Sequence, residues 1–273
     1  MSRTVAKIVH GLIDVATLPL NKRQREKTIA RISQDIGRKS IREVATARGN
    51  LYFHAMKGPL IASAIERFHT DEPETLEWID NFIKPGETLW DIGANIGLYA
   101  LYAALGRDIT VYAFEPSGLN FGLLIEHIQM NDMGSCVKPL CVALGDATKL
   151  DNLHVGEFSA GHASNALGKA ETQFQGFKPV FTQAIPAFTA DDFCRIFQLR
   201  APDHIKLDVD GIEDLILAGA EKMLPQVKTL TVEVEGQNVG GGIEARLAKA
   251  GFTEEPGHRE KGSKRNRLYV RNV

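Results

Sequence analysis

Leu89-Trp90-Asp91-Ile92-Gly93-Ala94-Asn95-Ile96-Gly97-Leu98, followed by Val111-Tyr112-Ala113-Phe114-Glu115-Pro116, decides the fold. The first run reads as an apolar strand, a glycine turn and the start of a helix. The second reads as a strand that ends on an acid. A turn without side-chain bulk lets a ligand lie against the backbone, and the first turn of a helix presents N–H groups with no intrahelical acceptor. Glu115, 22 residues after Gly93, ends the next strand and can accept hydrogen bonds from two ribose hydroxyls. The pair points to a nucleoside-containing cofactor.

The turn narrows the choice. In a dinucleotide site, G-x-G-x-x-G clusters three glycines so that a pyrophosphate settles on the helix N-terminus. Here only Gly93 and Gly97 occur, and Asp91 stands just before them. A carboxylate there repels a pyrophosphate but suits the ammonium and sulfonium of S-adenosylmethionine. S-adenosylmethionine is the favoured cofactor; a dinucleotide, or a plain turn in which Asp91 only caps the helix, are the alternatives.

Outward from this motif the chain alternates strands and helices. The pattern predicts a helix over Glu74–Ile83, stopped by Pro85-Gly86, and strands at Thr88–Ile92, Thr110–Phe114 and Val137–Ala143. Helices are expected at Leu98–Ala104 and Leu119–Gln129, and a short strand at Leu150–Val155. After a weakly periodic stretch, Gly156–Gly176, come strands at Ile205–Val209 and Thr229–Val234 around a helix at Ile212–Ala220. A helix at Ala245–Ala250 and a strand at Arg267–Val270 end the chain. Such alternation predicts an α/β fold, a doubly wound and mostly parallel sheet whose ligands gather at the carboxyl ends of the strands.

Acids stand at five of those ends: Asp91, Glu115, Asp146, the pair Asp208 and Asp210, and the pair Glu233 and Glu235. Methyl transfer from a sulfonium is an in-line displacement, so the protein must place an acceptor hydroxyl and help remove its proton. Strand alternation in Lys206-Leu207-Asp208-Val209-Asp210 sends Lys206, Asp208 and Asp210 to one side. Asp208 is the expected central catalytic residue, assisted by Lys206 and Asp210. Asp208, Asp210 and Glu235 could instead collect a hard divalent metal through oxygen ligands, and a Lys–Asp ion pair that only shapes the strand end is the plainer alternative. His162, in the polar stretch Ser159–Asn165, is a candidate base in a substrate lid or an ordinary surface histidine. The basic segment His258–Arg267 is either a phosphate-binding element or a solvated loop before the last strand.

Taken together, Glu72-Pro73-Glu74-Thr75, Lys84-Pro85-Gly86-Glu87-Thr88, Asp91 to Gly97, Phe114-Glu115-Pro116 and Ile205-Lys206-Leu207-Asp208-Val209-Asp210-Gly211-Ile212-Glu213 resemble the FkbM family of S-adenosylmethionine-dependent methyltransferases. They run in the family's order over about residues 72 to 272. Asp210 stands where the family often has Glu. The resemblance implies a Rossmann-like class I methyltransferase with a seven-stranded sheet, and O-methyl transfer to a sugar, glycan or related natural product. It further implies that Gly93, Asn95 and Gly97 flank the methionine portion of the cofactor, that Glu115 holds the ribose, and that Ala143, Leu144 and Asp146 border the adenine. A turn aspartate is the alternative for Asp146.

Length and composition fit one such enzyme. The chain has 273 residues, 44% of them hydrophobic, enough for one large core and an appendage. Three cysteines, Cys136, Cys141 and Cys194, show no metal or disulfide spacing, which favours a reducing compartment. No run is apolar enough to span a bilayer and the start lacks a cleavage signal, so a cytoplasmic location is expected. Charge is uneven: residues 1–48 hold 11 basic and 4 acidic groups, within a total of −2. Val5, Ile8, Val9, Leu12 and Ile13, then Ile29, Ile32 and Ile36, recur at helical spacing there. Residues 1–70 are therefore expected to form a helical extension to a methyltransferase domain at 71–273, either packed on that domain or resting on the inner face of a membrane. No nucleic acid partner is expected, because an N-P-P-[YF]-type segment and a basic overall charge are both missing. An RNA or DNA methyltransferase and a non-catalytic cofactor-binding module are the competing classes. The acceptor, its methylated position and the oligomeric state are not written in the sequence.

Overall fold

The structure, a computed structural model, describes residues 2–55, 58–162, 165–168, 177–234 and 240–272. Two helices, α1 (Ser2–Thr17) and α2 (Lys22–Arg38), precede a hairpin of β1 (Ile41–Thr46) and β2 (Gly49–His54). Helices α3 (Pro59–Glu66), α4 (Phe68–Asp71) and α5 (Pro73–Phe82) lead into the sheet. Then follow β3 (Thr88–Ile92), α6 (Leu98–Ala104), β4 (Thr110–Phe114), α7 (Gly118–Met130) and β5 (Val137–Leu140). Next come β6 (Ala143–Leu144), β7 (Lys149–Val155), β8 (Asn165–Leu167), β9 (Phe181–Phe188) and α8 (Ala190–Phe197). The chain closes with β10 (His204–Leu207), α9 (Glu213–Ala218), β11 (Thr229–Glu233), α10 (Gly240–Lys249), β12 (Phe252–Glu254), α11 (Pro256–Arg259) and β13 (Asn266–Arg271).

The central sheet has seven strands in the order β12-β13-β11-β10-β3-β4-β5. Five are parallel, and β13 runs antiparallel between β11 and β12. This is the doubly wound, Rossmann-like sheet the alternation predicts. Strands β3 and β4 bury apolar side chains on both faces because both faces are covered, whereas β10 turns buried His204 and Lys206 to one of them. Leu89, Val111 and Ala113 point into a core shared with Trp78, Leu101 and Leu124. Trp90, Ile92 and Phe114 point the other way, into a core with Phe193, Ile205 and Leu230. Buried Trp78 on α5 donates its Nε1–H to Thr229 Oγ1 at 2.8 Å, tying that helix to β11.

Several expectations need correcting. The strand read over Val137–Ala143 breaks after Leu140, and β6 joins a second, four-stranded sheet of order β6-β9-β7-β8. The strand read at Leu150–Val155 belongs to that sheet, and the seventh central strand is β12, only three residues long. The strand read to Val209 ends at Leu207, so Asp208 and Asp210 sit in the loop beyond it, where Gly211 takes φ +88°. The N-terminal 70 residues are not purely helical. Val44, Leu51 and Phe53 of the hairpin, with Ile61, Ile65 and Phe68, are buried in the same core as Trp78.

Candidate active site

The glycine turn is built by backbone hydrogen bonds. Gly93 and Ala94 N–H both donate to the Phe114 carbonyl at 3.0 Å, which draws the end of β3 onto the end of β4. Gly93 takes φ +88° and faces the loop after β10 so closely that a β-carbon would meet the Asp208 carbonyl oxygen at 1.8 Å. Asn95 also adopts a left-handed conformation, at φ +49°. Gly97, at φ +90°, starts α6 against Leu124 and Leu101, leaving no room for a side chain.

Glu115 locks this turn from the side. Its Oε2 accepts from Asn95 N–H and its Oε1 from Ser117 N–H, both at 2.8 Å. Burial pushes its carboxyl up to about 7 in spite of those two donors. Asp91 is buried too and is raised to about 6, by burial first, with Lys206 opposing and Asp208 adding to the shift. Asp91 Oδ1 and Asn95 Oδ1 are buried without a hydrogen-bond partner among the described residues. Such atoms cost stability unless something binds them.

The end of β10 supplies a second group of charges. The parallel register sets Lys206 beside Asp91. Lys206 is buried, lies 4.9 Å from the centre of the Tyr99 ring and contacts Asp208 Oδ2 at 2.5 Å. Burial works against its charge, yet Asp208, Glu72 and Asp91 hold the ammonium above its ordinary value. Asp208 is lowered by Lys206 and by a hydrogen bond with Glu233, which outweigh its burial. Glu233 is raised to about 9 by burial and by Asp208, and pairs with Arg265 at 2.9 Å. Burial and the facing Asp208 carboxylate thus favour the protonated form of Glu233. Glu72, also raised by burial, accepts from Thr75 Oγ1 at 2.9 Å and from the Tyr99 hydroxyl.

All of these groups line one cavity of about 470 Å³. Asp91, Gly93, Asn95, Glu115, Ala143, Leu144, Lys206, Asp208 and Asp210 meet there, as the sequence leads one to expect. Asp210 is turned partly to the insertion, where its Oδ2 accepts from Asn165 N–H at 3.1 Å. Gly97 lies behind the wall and shapes the turn. Asp146 is not brought in: it is exposed beyond β6, outside the cavity lining. Glu235 lies outside the described residues, and among those described no group of three or more His, Cys, Asp or Glu is gathered to hold a metal. His162 lines the cavity with its Nε2 3.1 Å from Glu157 Oε1, and Asn120 clips its carbonyl at 3.0 Å. Glu72, Tyr99 and Arg265 are site residues the sequence reading did not single out. A signal existed for two of them: Glu72 opens one of the family-like segments, and Arg265 lies in the basic segment His258–Arg267.

A turn of this kind beside a buried acid, facing a buried Lys–Asp pair, suits a methyltransferase. The Methyltransferase FkbM domain model matches residues 91–254, more than half of the chain, and the protein belongs to that family. The family implies S-adenosylmethionine as methyl donor, and the donor set fits it, since the two buried unpartnered oxygens and Glu115 are all acceptors. Among curated relatives, the chain is 24% identical over 193 residues to the 31-O-demethyl-FK506 methyltransferase FkbM of Streptomyces tacrolimicus, covering 63% of this chain and 74% of that one. It is 26% identical over 151 residues to the hexuronic acid methyltransferase AglP of Haloferax volcanii, covering 54% and 56%. A solved FkbM methyltransferase from Methylobacillus flagellatus superposes with a TM-score of 0.44 at 15% identity, covering 77% of this chain and 52% of that one.

Proposed function

We propose that the protein transfers a methyl group from S-adenosylmethionine to a hydroxyl of a sugar, glycan or related natural product. The observation that carries this reading is the convergence of the glycine turn, Glu115 and the Lys206–Asp208 pair on a single cavity. The names of the relatives, one acting on a macrolide and one on a hexuronic acid, favour a hydroxylated acceptor.

In this reading Glu115 holds the ribose hydroxyls, Asn95 and Asp91 receive the methionine ammonium, and Ala143 and Leu144 flank the adenine. The bound cofactor supplies an electrophilic methyl group on a sulfonium. Lys206 fixes Asp208 so that its carboxylate accepts the acceptor's O–H. The hydroxyl turns strongly acidic as its oxygen takes the methyl group, so a carboxylate held low is base enough to receive the proton at that late stage. Glu233 is the carboxyl of the pair that favours its proton, which leaves Asp208 ionised, and Arg265 anchors Glu233. Asp210 positions the insertion through Asn165.

The test is transfer of labelled methyl groups to a panel of hydroxylated glycans and polyketides by the wild type and by Asp208→Asn. Product on at least one acceptor, cut by ~10²-fold or more in the variant, supports the reading. Equal turnover in the two proteins contradicts the role of Asp208, and methylation of RNA instead contradicts the acceptor class.

A further inference from the structure

Helices α1 and α2 stand outside both cores. No residue of α2 is buried, and along α1 from Thr4 onward only Thr17 is. Val5, Ile8, Val9, Leu12 and Val15 recur at spacings of three and four on one side of α1, and every one is exposed, Leu12 at 63% and Val15 at 65%. Lys7, His10 and Asp14 occupy the opposite side of the helix. The two helices are held as a pair: Arg25 bridges Asp14 at 2.7 Å, and Asn21 and Gln24 form a capping box at the start of α2. Helix α2 adds exposed Ile29 and Ile36 amid Lys22, Arg23, Lys27, Arg31 and Arg38. Residues 2–40 carry nine basic and three acidic groups.

An unpartnered apolar stripe beside dense positive charge marks an interaction surface. No helix among the described residues is long and apolar enough to cross a membrane. A segment of this kind lies in the interfacial plane instead, its apolar side at the acyl boundary and its basic groups among lipid phosphates. We propose that the α1–α2 pair docks the protein on an anionic membrane surface, with Val5, Ile8, Leu12 and Val15 entering the headgroup boundary. Charge selects this occupant over a second copy of the chain. Two copies meeting stripe to stripe would bring two strongly positive segments together, whereas an anionic bilayer neutralises one. None of these residues lines the active-site cavity, so the docking surface is independent of the transfer chemistry.

The test is co-sedimentation of the full chain with vesicles of phosphatidylcholine, and of phosphatidylcholine mixed with phosphatidylglycerol. The chain should pellet with the mixed vesicles and stay in solution with the neutral ones, and added salt should weaken binding. The double variant Ile8→Glu/Leu12→Glu should lose ~10-fold or more of the bound fraction while binding S-adenosylhomocysteine as the wild type does. Failure to pellet with either vesicle, or equal binding to both, overturns the proposal. So does a concentration-dependent dimer in sedimentation velocity that the same double variant abolishes without any vesicle binding, since the stripe would then join two copies.

Discussion

The backbone carbonyl oxygen of Asp208 lies 1.8 Å from where a β-carbon on Gly93 would stand. The glycine turn and the loop after β10 are therefore packed backbone to backbone. Gly93→Ala meets a rigid obstacle in a left-handed conformation that already disfavours side chains. It should lower stability by about 1–3 kcal/mol or more and abolish cofactor binding together. A thermal melt and a titration with S-adenosylhomocysteine check both effects; a variant that melts and binds as the wild type does would show that the turn has room to give.

Removal of Lys206 and neutralisation of Asp208 should have different outcomes. Lys206→Met leaves Asp208, Glu72 and Asp91 facing one another without their buried cation, so we expect a loss of about 3–5 kcal/mol, measured by denaturant unfolding. Asp208→Asn keeps the size of the side chain and one oxygen to accept from Lys206, and its NH2 replaces the other acceptor. It should fold, bind cofactor near wild-type affinity and lose turnover.

Stability should depend on pH through Glu115. Its folded carboxyl is raised from 4.5 to about 7, so the folded state holds this proton more tightly than the unfolded chain does. The resulting stabilisation is complete below the unfolded value and is lost as pH climbs through about 7, by at most about 3 kcal/mol. Melting of the ligand-free protein across that window should show the decline, and Glu115→Gln should make it shallower, with Asp91, Glu213 and Glu233, also raised by burial, carrying what remains. Cofactor affinity runs the other way, rising with pH as the carboxylate becomes free to accept ribose hydroxyls.

The hairpin tests the domain boundary. Phe53 is wholly buried in the core that holds Trp78, so Phe53→Ala should cost about 3–5 kcal/mol in unfolding experiments. Removal of residues 1–38 should leave the melting temperature and cofactor binding close to those of the full chain, because α2 buries nothing. A large loss from that truncation would mean that the two helices support the fold.

The parts legible in the sequence are those in which neighbours in the chain are neighbours in space. Asp91 to Gly97 forms one turn, and Glu115 ends the adjacent parallel strand, so a local pattern sufficed to place them together. Lys206 and Asp208 were found by strand alternation, although the strand stops at Leu207 and the loop carries Asp208 onward. Glu72 and Tyr99 could not be read as partners of Lys206, because they arrive from the N-terminus of α5 and the first turn of α6. Arg265 looked like one more charge in a basic stretch until its pairing with Glu233 brought it to the cavity. Strand β9 was hidden by Pro186 inside its run, and β12 by its length of three residues.

The most direct measurement is calorimetric titration of the wild type and of Glu115→Ala with S-adenosylmethionine, S-adenosylhomocysteine and NAD. We expect both adenosyl sulfur ligands to bind the wild type, the variant to lose them, and NAD to give no heat. Binding of NAD in their place, or unaltered binding of the sulfur ligands by the variant, would contradict the assignment of the turn and its acid to this cofactor.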